Sequence, residues 1–420
     1  VSQPETSLPA WLPRTLTQWI GVAVIAGLAL GLFAHAQEGT PDWVAPLALL
    51  GDLFIKCLKL LILPVVATSL VVGVTSIGDL SRLGKLGGRT VAYYTATTLL
   101  AAMLGLLLVN IIQPGAGMSA ELATEVPEKA ARGSGLTVGA MLMQVFGSTL
   151  LDPINSLMDG DVLTWIALAL LVGVGLIAAG PRAARVTAAF QLAERTVMRV
   201  VRNVMWLAPA GVFGLLVKSL ASGGLEALAA VGKYSFTVAL ALAIHGLIIL
   251  PLIVHFVGGL PPLAWFRGIR PALAVALGTA SSSATLPVTI ESCEDNLGVP
   301  TGVASFVLPL GATMNMDGTA LYEAIAALFV AQVFGFDLSL AQQGIVLFTA
   351  MAASVGAAGI PSAGLVTMAM VFEAVGLPLE GIGLILAVDR FLDMGRTMVN
   401  VAGDTAGAVV LSRGQRTVVA

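Results

Sequence analysis

The last long apolar stretch of the chain carries charges that hydrocarbon does not tolerate. Residues 382–410 read IGLILAVDRFLDMGRTMVNVAGDTAGAVV, long enough to cross a bilayer, yet they include Asp389, Arg390, Asp393, Arg396, Asn400 and Asp404. On a helix of about 3.6 residues per turn, Asp389, Asp393, Arg396, Asn400 and Asp404 fall within one arc of roughly 80°. Each charge at a membrane helix centre costs about 2.5–3.5 kcal/mol, so four of them cost on the order of 10 kcal/mol. The stripe must therefore face a protein or water-lined interior and find partners there.

Composition says where the rest of the chain lies. Of 420 residues, 57% are hydrophobic and 11% charged, against about 25% charged in a soluble domain. This is a polytopic, all-α membrane protein with little mass outside the bilayer. The net charge of −3 gives no reason to expect nucleic acid. Cys57 and Cys293 suit neither a disulfide framework nor a zinc site. His35, His245 and His255 form no HExxH motif, and GKLGG at 84–88 lacks the order of a phosphate loop. No organic cofactor is expected.

In order, residues 1–13 read as a flexible or interfacial arm with no cleavable signal peptide. Spans are predicted at 16–33, 44–75 and 89–112. A polar loop over 113–136 is followed by shorter apolar pieces at 137–150 and 162–179. An amphipathic basic stretch carries Arg182, Arg185, Arg195, Arg199 and Arg202, and further spans lie at 203–222 and 229–257. Basic loops alternate with acidic or neutral ones, which places both termini in the cytoplasm.

Beyond residue 257 the simple pattern fails. Segment 262–295 is two short apolar halves meeting at GTASSSAT (278–285), and segment 338–375 repeats the design around SVGAAGIPSAG (354–364). Neither half of the first crosses about 30 Å of hydrocarbon comfortably at about 1.5 Å per residue. Both segments read as re-entrant hairpins, and irregular backbone at that depth must be buried or line a cavity. Each precedes a long span with a polar interruption, NMDGT at 315–319 and then the opening stripe. Hairpin and broken helix thus occur twice, entering from opposite sides. That is an inverted repeat, the mark of alternating access around a midplane site.

Asn315 with Asp317, and Asn400 with Asp404, offer hard oxygen ligands, and unwound backbone beside Gly311 and Gly318 adds carbonyls. A small cation such as Na⁺ fits that supply. Asp317, Asp389, Asp393 and Asp404 against Arg396 leave −3, which a dry site must balance with cations. Arg396 is a bidentate partner for a carboxylate, either Asp389 or one from a ligand. Asp393 suits an ammonium, and hairpin N–H groups suit a second carboxylate. An acidic amino acid satisfies all three. By default, Tyr94, Thr97 and Thr98 read as interface and packing residues, and Glu323 reads equally as a snorkelling or paired acid or as a proton site.

GTASSSATLP, LPLGATMNMDGTALYE, GAAGIPSAG and DRFLDMGRTMVNVAGDT resemble the signature motifs of the glutamate transporter family, the dicarboxylate/amino acid:cation symporters. The similarity is strongest over 270–412. It implies eight transmembrane helices plus two re-entrant hairpins, assembled as a homotrimer of elevator transporters in the cell membrane. Residues 1–88 and 113–222 would form a scaffold, and 89–112 and 223–420 a moving transport domain whose second hairpin gates the outside. By motif position, Arg396, oriented by Asp389, would hold the substrate side-chain carboxylate. Asp393 would bind the amino group, and Asn400 with Ser282 the α-carboxylate. Thr319, Thr397, Gly359 and Ile360 would complete the pocket. One Na⁺ would sit at Gly311, Asn315, Asn400 and Asp404, a second at Thr313, Ser354, Val355 and Ala357, and a third at Tyr94, Thr97, Thr98, Asn315 and Asp317. Glu323 matches a proton-carrying glutamate. Members carry a further pocket arginine at one of two positions, here Ala280 and Met394. The expected activity is Na⁺-driven symport of L-aspartate or L-glutamate. The alternatives are neutral amino acid exchange, which the resemblance implies would replace Arg396, and proton-coupled C4-dicarboxylate transport, which it implies would lack Asp393. Neither a channel nor an intramembrane enzyme is expected.

Overall fold

The computed structural model describes residues 16–37, 41–76, 80–117, 162–356 and 363–416. Every regular element among them is helical. Backbone polar groups in lipid must be satisfied within their own segment, so apolar segments of this length fold as helices. The first three predicted spans appear as α1 (Leu16–His35), α2 (Val44–Ser76) and α3 (Leu80–Ile112). After them come α4 (Val162–Ala179) and the basic, amphipathic α5 (Ala184–Val204).

The spans expected at 203–222 and 229–257 are joined without a loop. α6 (Ala208–Ile244) turns at Gly224, whose φ of 49° and ψ of −135° suit glycine alone. The chain continues through a π turn at His245–Ile249 into α7 (Leu250–Phe256). Five stretches among the described residues are long and apolar enough to cross a membrane: Gln18–His35, Val44–Thr75, Leu86–Ile112, Thr164–Ser222 and Gly224–Phe256.

The first hairpin comprises α8 (Pro262–Thr279) and α9 (Ser282–Glu291). Its tip is only Ala280 and Ser281. Ala280 closes α8 in a left-handed conformation with φ of 48°, and the Ser281 hydroxyl caps α9 by accepting from Ala284 N at 3.1 Å. Next come α10 (Thr301–Met314), α11 (Asp317–Val333), α12 (Leu340–Gly356), α13 (Ala363–Val375) and α14 (Ile382–Leu411). α12 and α13 are the arms of the second hairpin. Its tip, with Ala357, Gly359 and Ile360, lies outside the described residues, as do the arm at 1–13, most of the polar loop and the apolar piece at 137–150.

Two expectations need correction. The span after the first hairpin is interrupted only at Asn315 and Met316, so Gly311 and Gly318 are both helical. The last span is not interrupted at all: α14 is one helix through its polar stripe. Side chains satisfied by neighbouring helices leave the backbone ladder of α14 intact.

Packing forms two groups. α1, α4 and α5 gather on α2 and α6, whereas α3, α8, α10 and α11 surround α14, and α6 bridges the two by packing on α14 as well. α2 also crosses to α12 and α13. A Cβ at Gly73 of α2 would lie 2.7 Å from the Val355 carbonyl oxygen, and Lys59 lies 3.9 Å from Glu373.

Candidate functional site

The α14 stripe is buried as the sequence requires. Asp389, Asp393, Arg396, Thr397, Asn400 and Asp404 are each 5% exposed or less. Arg396 is the hub. Its Nη2 donates to Asp393 Oδ1 at 2.5 Å, its Nη1 lies 3.7 Å from Asp389 Oδ1, and its guanidinium carbon sits 4.1 Å from the Tyr322 ring centroid. The Tyr322 hydroxyl donates to Asp389 Oδ1 at 2.6 Å. A Cβ at Gly364 of α13 would lie 2.6 Å from Arg396 Nη1, so the second hairpin packs directly on the guanidinium. Arg396 Nε and Nη1 are nevertheless buried without a hydrogen-bond acceptor among the described residues.

One turn further along, Asn400 ties α14 to the break in the preceding span. Its Oδ1 accepts from Gly318 N at 2.8 Å, and its Nδ2 donates to Thr319 Oγ1 at 3.2 Å. The expected pocket residues Thr319, Asp393, Arg396 and Asn400 are thus joined through α11 and α14. Thr397 is buried beside them, its hydroxyl bonded to the Asp393 carbonyl at 2.8 Å. Ser282 is the buried first residue of α9, which packs on α14. The first-turn N–H groups of a helix favour an anion there.

The oxygen-rich half lies between α3, α10, α11 and α14. Asn315 Nδ2 donates to Asp404 Oδ1 at 2.9 Å, Thr97 Oγ1 to Asn315 Oδ1 at 3.2 Å, and Thr98 Oγ1 to Asp317 Oδ1 at 2.8 Å. The Tyr94 hydroxyl donates to the Val307 carbonyl at 2.8 Å. A Cβ at Gly311 would lie 2.6 Å from that hydroxyl and would also collide with the Asp404 carboxylate. Gly311 therefore contributes close approach rather than unwinding. Tyr94, Thr97 and Thr98 are buried constituents of this cluster, not interface residues. Of the second expected cation set, the Thr313 and Ser354 hydroxyls bond carbonyls of their own helices, at 3.0 and 2.8 Å.

Glu323 does not snorkel. It is wholly buried and accepts a short hydrogen bond from Thr367 of α13, while its Oε2 has no partner among the described residues.

Three residues of the site have no role that the sequence alone makes legible. His245, at the π turn, places Nε2 3.0 Å from Asp317 Oδ2, with both side chains fully buried. A histidine within the apolar run 229–257 was the available signal. Tyr322 lay in a motif but was not singled out. Arg390, just off the arc, places Nη1 3.6 Å from Asp393 Oδ2. It also changes the charge count. Asp389, Arg390, Asp393 and Arg396 form a neutral quartet, which leaves Asp404 and the His245-bonded Asp317 as the remaining aspartates of the two spans.

Comparison with known proteins gives a consistent result. The model of the sodium:dicarboxylate symporter family matches residues 16–413. An excitatory amino acid transporter of Caenorhabditis elegans is 37% identical, the match covering 96% of this chain and 88% of the relative. A proton/glutamate-aspartate symporter of Escherichia coli is 35% identical over 93% of this chain and 91% of its own. A proton/sodium-glutamate symport protein of Bacillus subtilis is 34% identical over 95% and 92%.

Proposed function

The chain belongs to the sodium:dicarboxylate symporter family, and from that premise we propose that it is a secondary active symporter carrying L-aspartate or L-glutamate across the membrane on an Na⁺ gradient. The observation that carries this reading is Arg396. A guanidinium 1% exposed, with Nε and Nη1 lacking acceptors among the described residues, has donors left over for a carboxylate. Asp393 beside it takes the substrate ammonium, which favours an amino acid over a C4-dicarboxylate. Ser282, at the start of α9, and Asn400 take the α-carboxylate, with Thr319 and Thr397 lining the pocket. Asp389, held by Tyr322, orients Arg396.

The cation sites follow from the remaining negative charge. Among the described residues, Asp404 meets only the neutral amide of Asn315, and Asp317 meets Thr98 and His245. Na⁺ as cargo supplies that balance, two to three ions per cycle. Thr313, Ser354 and Val355 belong to the family's remaining set. Glu323, buried next to the substrate helix and bonded to the second hairpin, is a proton carrier. Residues 1–88 and 113–222 serve as the scaffold of a homotrimer, and 89–112 with 223–420 as the moving part, in a cell membrane with both termini cytoplasmic. The packing of α1, α4 and α5 away from α14 supports that division.

The test is uptake of labelled aspartate into proteoliposomes. An inward Na⁺ gradient should drive accumulation that glutamate suppresses and alanine does not. Equal uptake with choline replacing Na⁺ would sink the reading.

A further inference from the structure

Arg390 is a charged residue in a membrane helix that the proposed roles leave unused. It precedes Asp393 by three positions, so it stands about 60° around α14 from it. Its neighbour Phe391 is 76% exposed, whereas the Arg390 side chain is 19% exposed. Arginines at such a boundary ordinarily snorkel toward water. This one turns inward, to 3.6 Å from Asp393 Oδ2, and its Nε is buried without an acceptor among the described residues. Asp393 is thereby engaged from two sides, Arg396 on Oδ1 and Arg390 on Oδ2.

That arrangement matters for the reading of the site given above, on which this inference rests. The Arg396 hydrogen bond to Asp393 Oδ1 competes directly with a substrate ammonium at that oxygen. When Arg396 swings its donors to the substrate side-chain carboxylate, Asp393 would lose a guanidinium from Oδ1 before the ammonium replaces it, and weakening a buried ion pair is costly. Arg390 meets Oδ2, the oxygen that Arg396 does not hold. We propose that Arg390 is a positioning residue: a standing counter-ion that keeps Asp393 aimed while Oδ1 exchanges Arg396 for the substrate amine. It sets the preference for aminated over amine-free dicarboxylates. The two positions where the resemblance leads one to look for such an arginine hold Ala280, which closes α8 with no charge to offer, and Met394.

The inference is tested in proteoliposomes with Arg390→Ala and Arg390→Lys, reading the KM and Vmax of labelled L-aspartate and the inhibition constant of succinate. Arg390→Ala should raise the aspartate KM about tenfold, equivalent to about 1.4 kcal/mol, with Vmax within about twofold. Succinate, which has no amine to present to Asp393, should inhibit both proteins equally. Arg390→Lys, which keeps the charge on a shorter reach, should recover most of the loss. An aspartate KM unchanged in Arg390→Ala, or KM and succinate constant shifted together, overturns the inference. Wild-type uptake indifferent to Na⁺ overturns the reading of the site and this inference with it. Na⁺-driven wild-type uptake with an unaltered Arg390→Ala overturns the inference alone.

Discussion

Two neighbouring spans build this site in opposite ways. α14 passes through it as one unbroken helix and contributes side chains: Asp389, Asp393, Arg396, Asn400 and Asp404 on a single face. The span formed by α10 and α11 stops at Asn315 and Met316 and contributes main chain as well, including the Gly318 N–H that Asn400 accepts. The sequence predicts an interruption in both, because both carry polar residues in apolar surroundings. Polarity shows only that partners are required. An interruption is needed where the backbone itself must be a ligand, and α14, whose side chains reach the neighbours on their own, has no such need.

The largest effect should come from the side-chain half. Removing one partner of a buried ion pair costs about 3–5 kcal/mol, and Arg396 meets Asp393 and Asp389 at once. Arg396→Ala should abolish concentrative uptake of aspartate, an affinity loss on the order of a hundredfold. Arg396→Lys should restore the charge but not the fork and remain at least tenfold impaired. Binding titrations of aspartate to the purified variants check this, and near-wild-type affinity in Arg396→Ala would remove α14 from the centre of the site.

Where the two spans meet, Asp404→Asn separates charge from geometry. Asparagine retains an oxygen for Asn315 Nδ2 but loses the anion. The Na⁺ concentration for half-maximal uptake should rise about tenfold, with the aspartate KM at saturating Na⁺ altered less than twofold. An unchanged Na⁺ requirement would take Asp404 out of the cation set. A smaller change is expected from the helical part of the broken span. Glu323→Gln keeps an oxygen for the Thr367 hydroxyl but removes the ionisable group. Acid-outside pH gradients should speed wild-type uptake several-fold and leave this variant unaffected. Equal acceleration of both would dismiss Glu323 as a proton carrier.

The same contrast explains what was legible in the sequence. The α14 stripe stood out because charge in an apolar stretch has a large, local energetic cost. Asn315, Asp317 and the hairpins were legible for a similar reason, as small and polar residues where a continuous span should be. Partnerships were not legible. His245 meets Asp317 across 72 positions and Tyr322 meets Asp389 across 67, and neither has a periodicity that announces its partner. Arg390 was visible as a charge but lay just off the arc, so it was left out of the balance. Gly311 and Gly318 were read as points of unwinding, whereas in the folded protein each is helical and its missing Cβ is what matters.

Gly318 gives the finest test of how the spans join, and the smallest effect. It is the second residue of α11, and there α11 begins against the backbone of α14. A Cβ at this position would lie 2.6 Å from the Arg396 carbonyl oxygen and 3.0 Å from its Cα. Both neighbours are main chain in an uninterrupted helix, so no side chain can rotate away, and the two helices must separate slightly. Overpacking of this kind costs about 1–3 kcal/mol. The strain falls on the hydrogen bond from Gly318 N to Asn400 Oδ1, and Asn400 shares its other end with Thr319. Gly318→Ala should therefore lower the melting temperature of the purified protein by a few degrees and raise the aspartate KM several-fold, with the Na⁺ requirement nearly constant, because Asp404 stands one turn beyond Asn400 on α14 and is bonded to Asn315 instead of Gly318. If the Na⁺ requirement rose as steeply as in Asp404→Asn, the break at Asn315 and Met316 would not insulate the cation cluster from the substrate contacts, and the two halves would have to be treated as one rigid site.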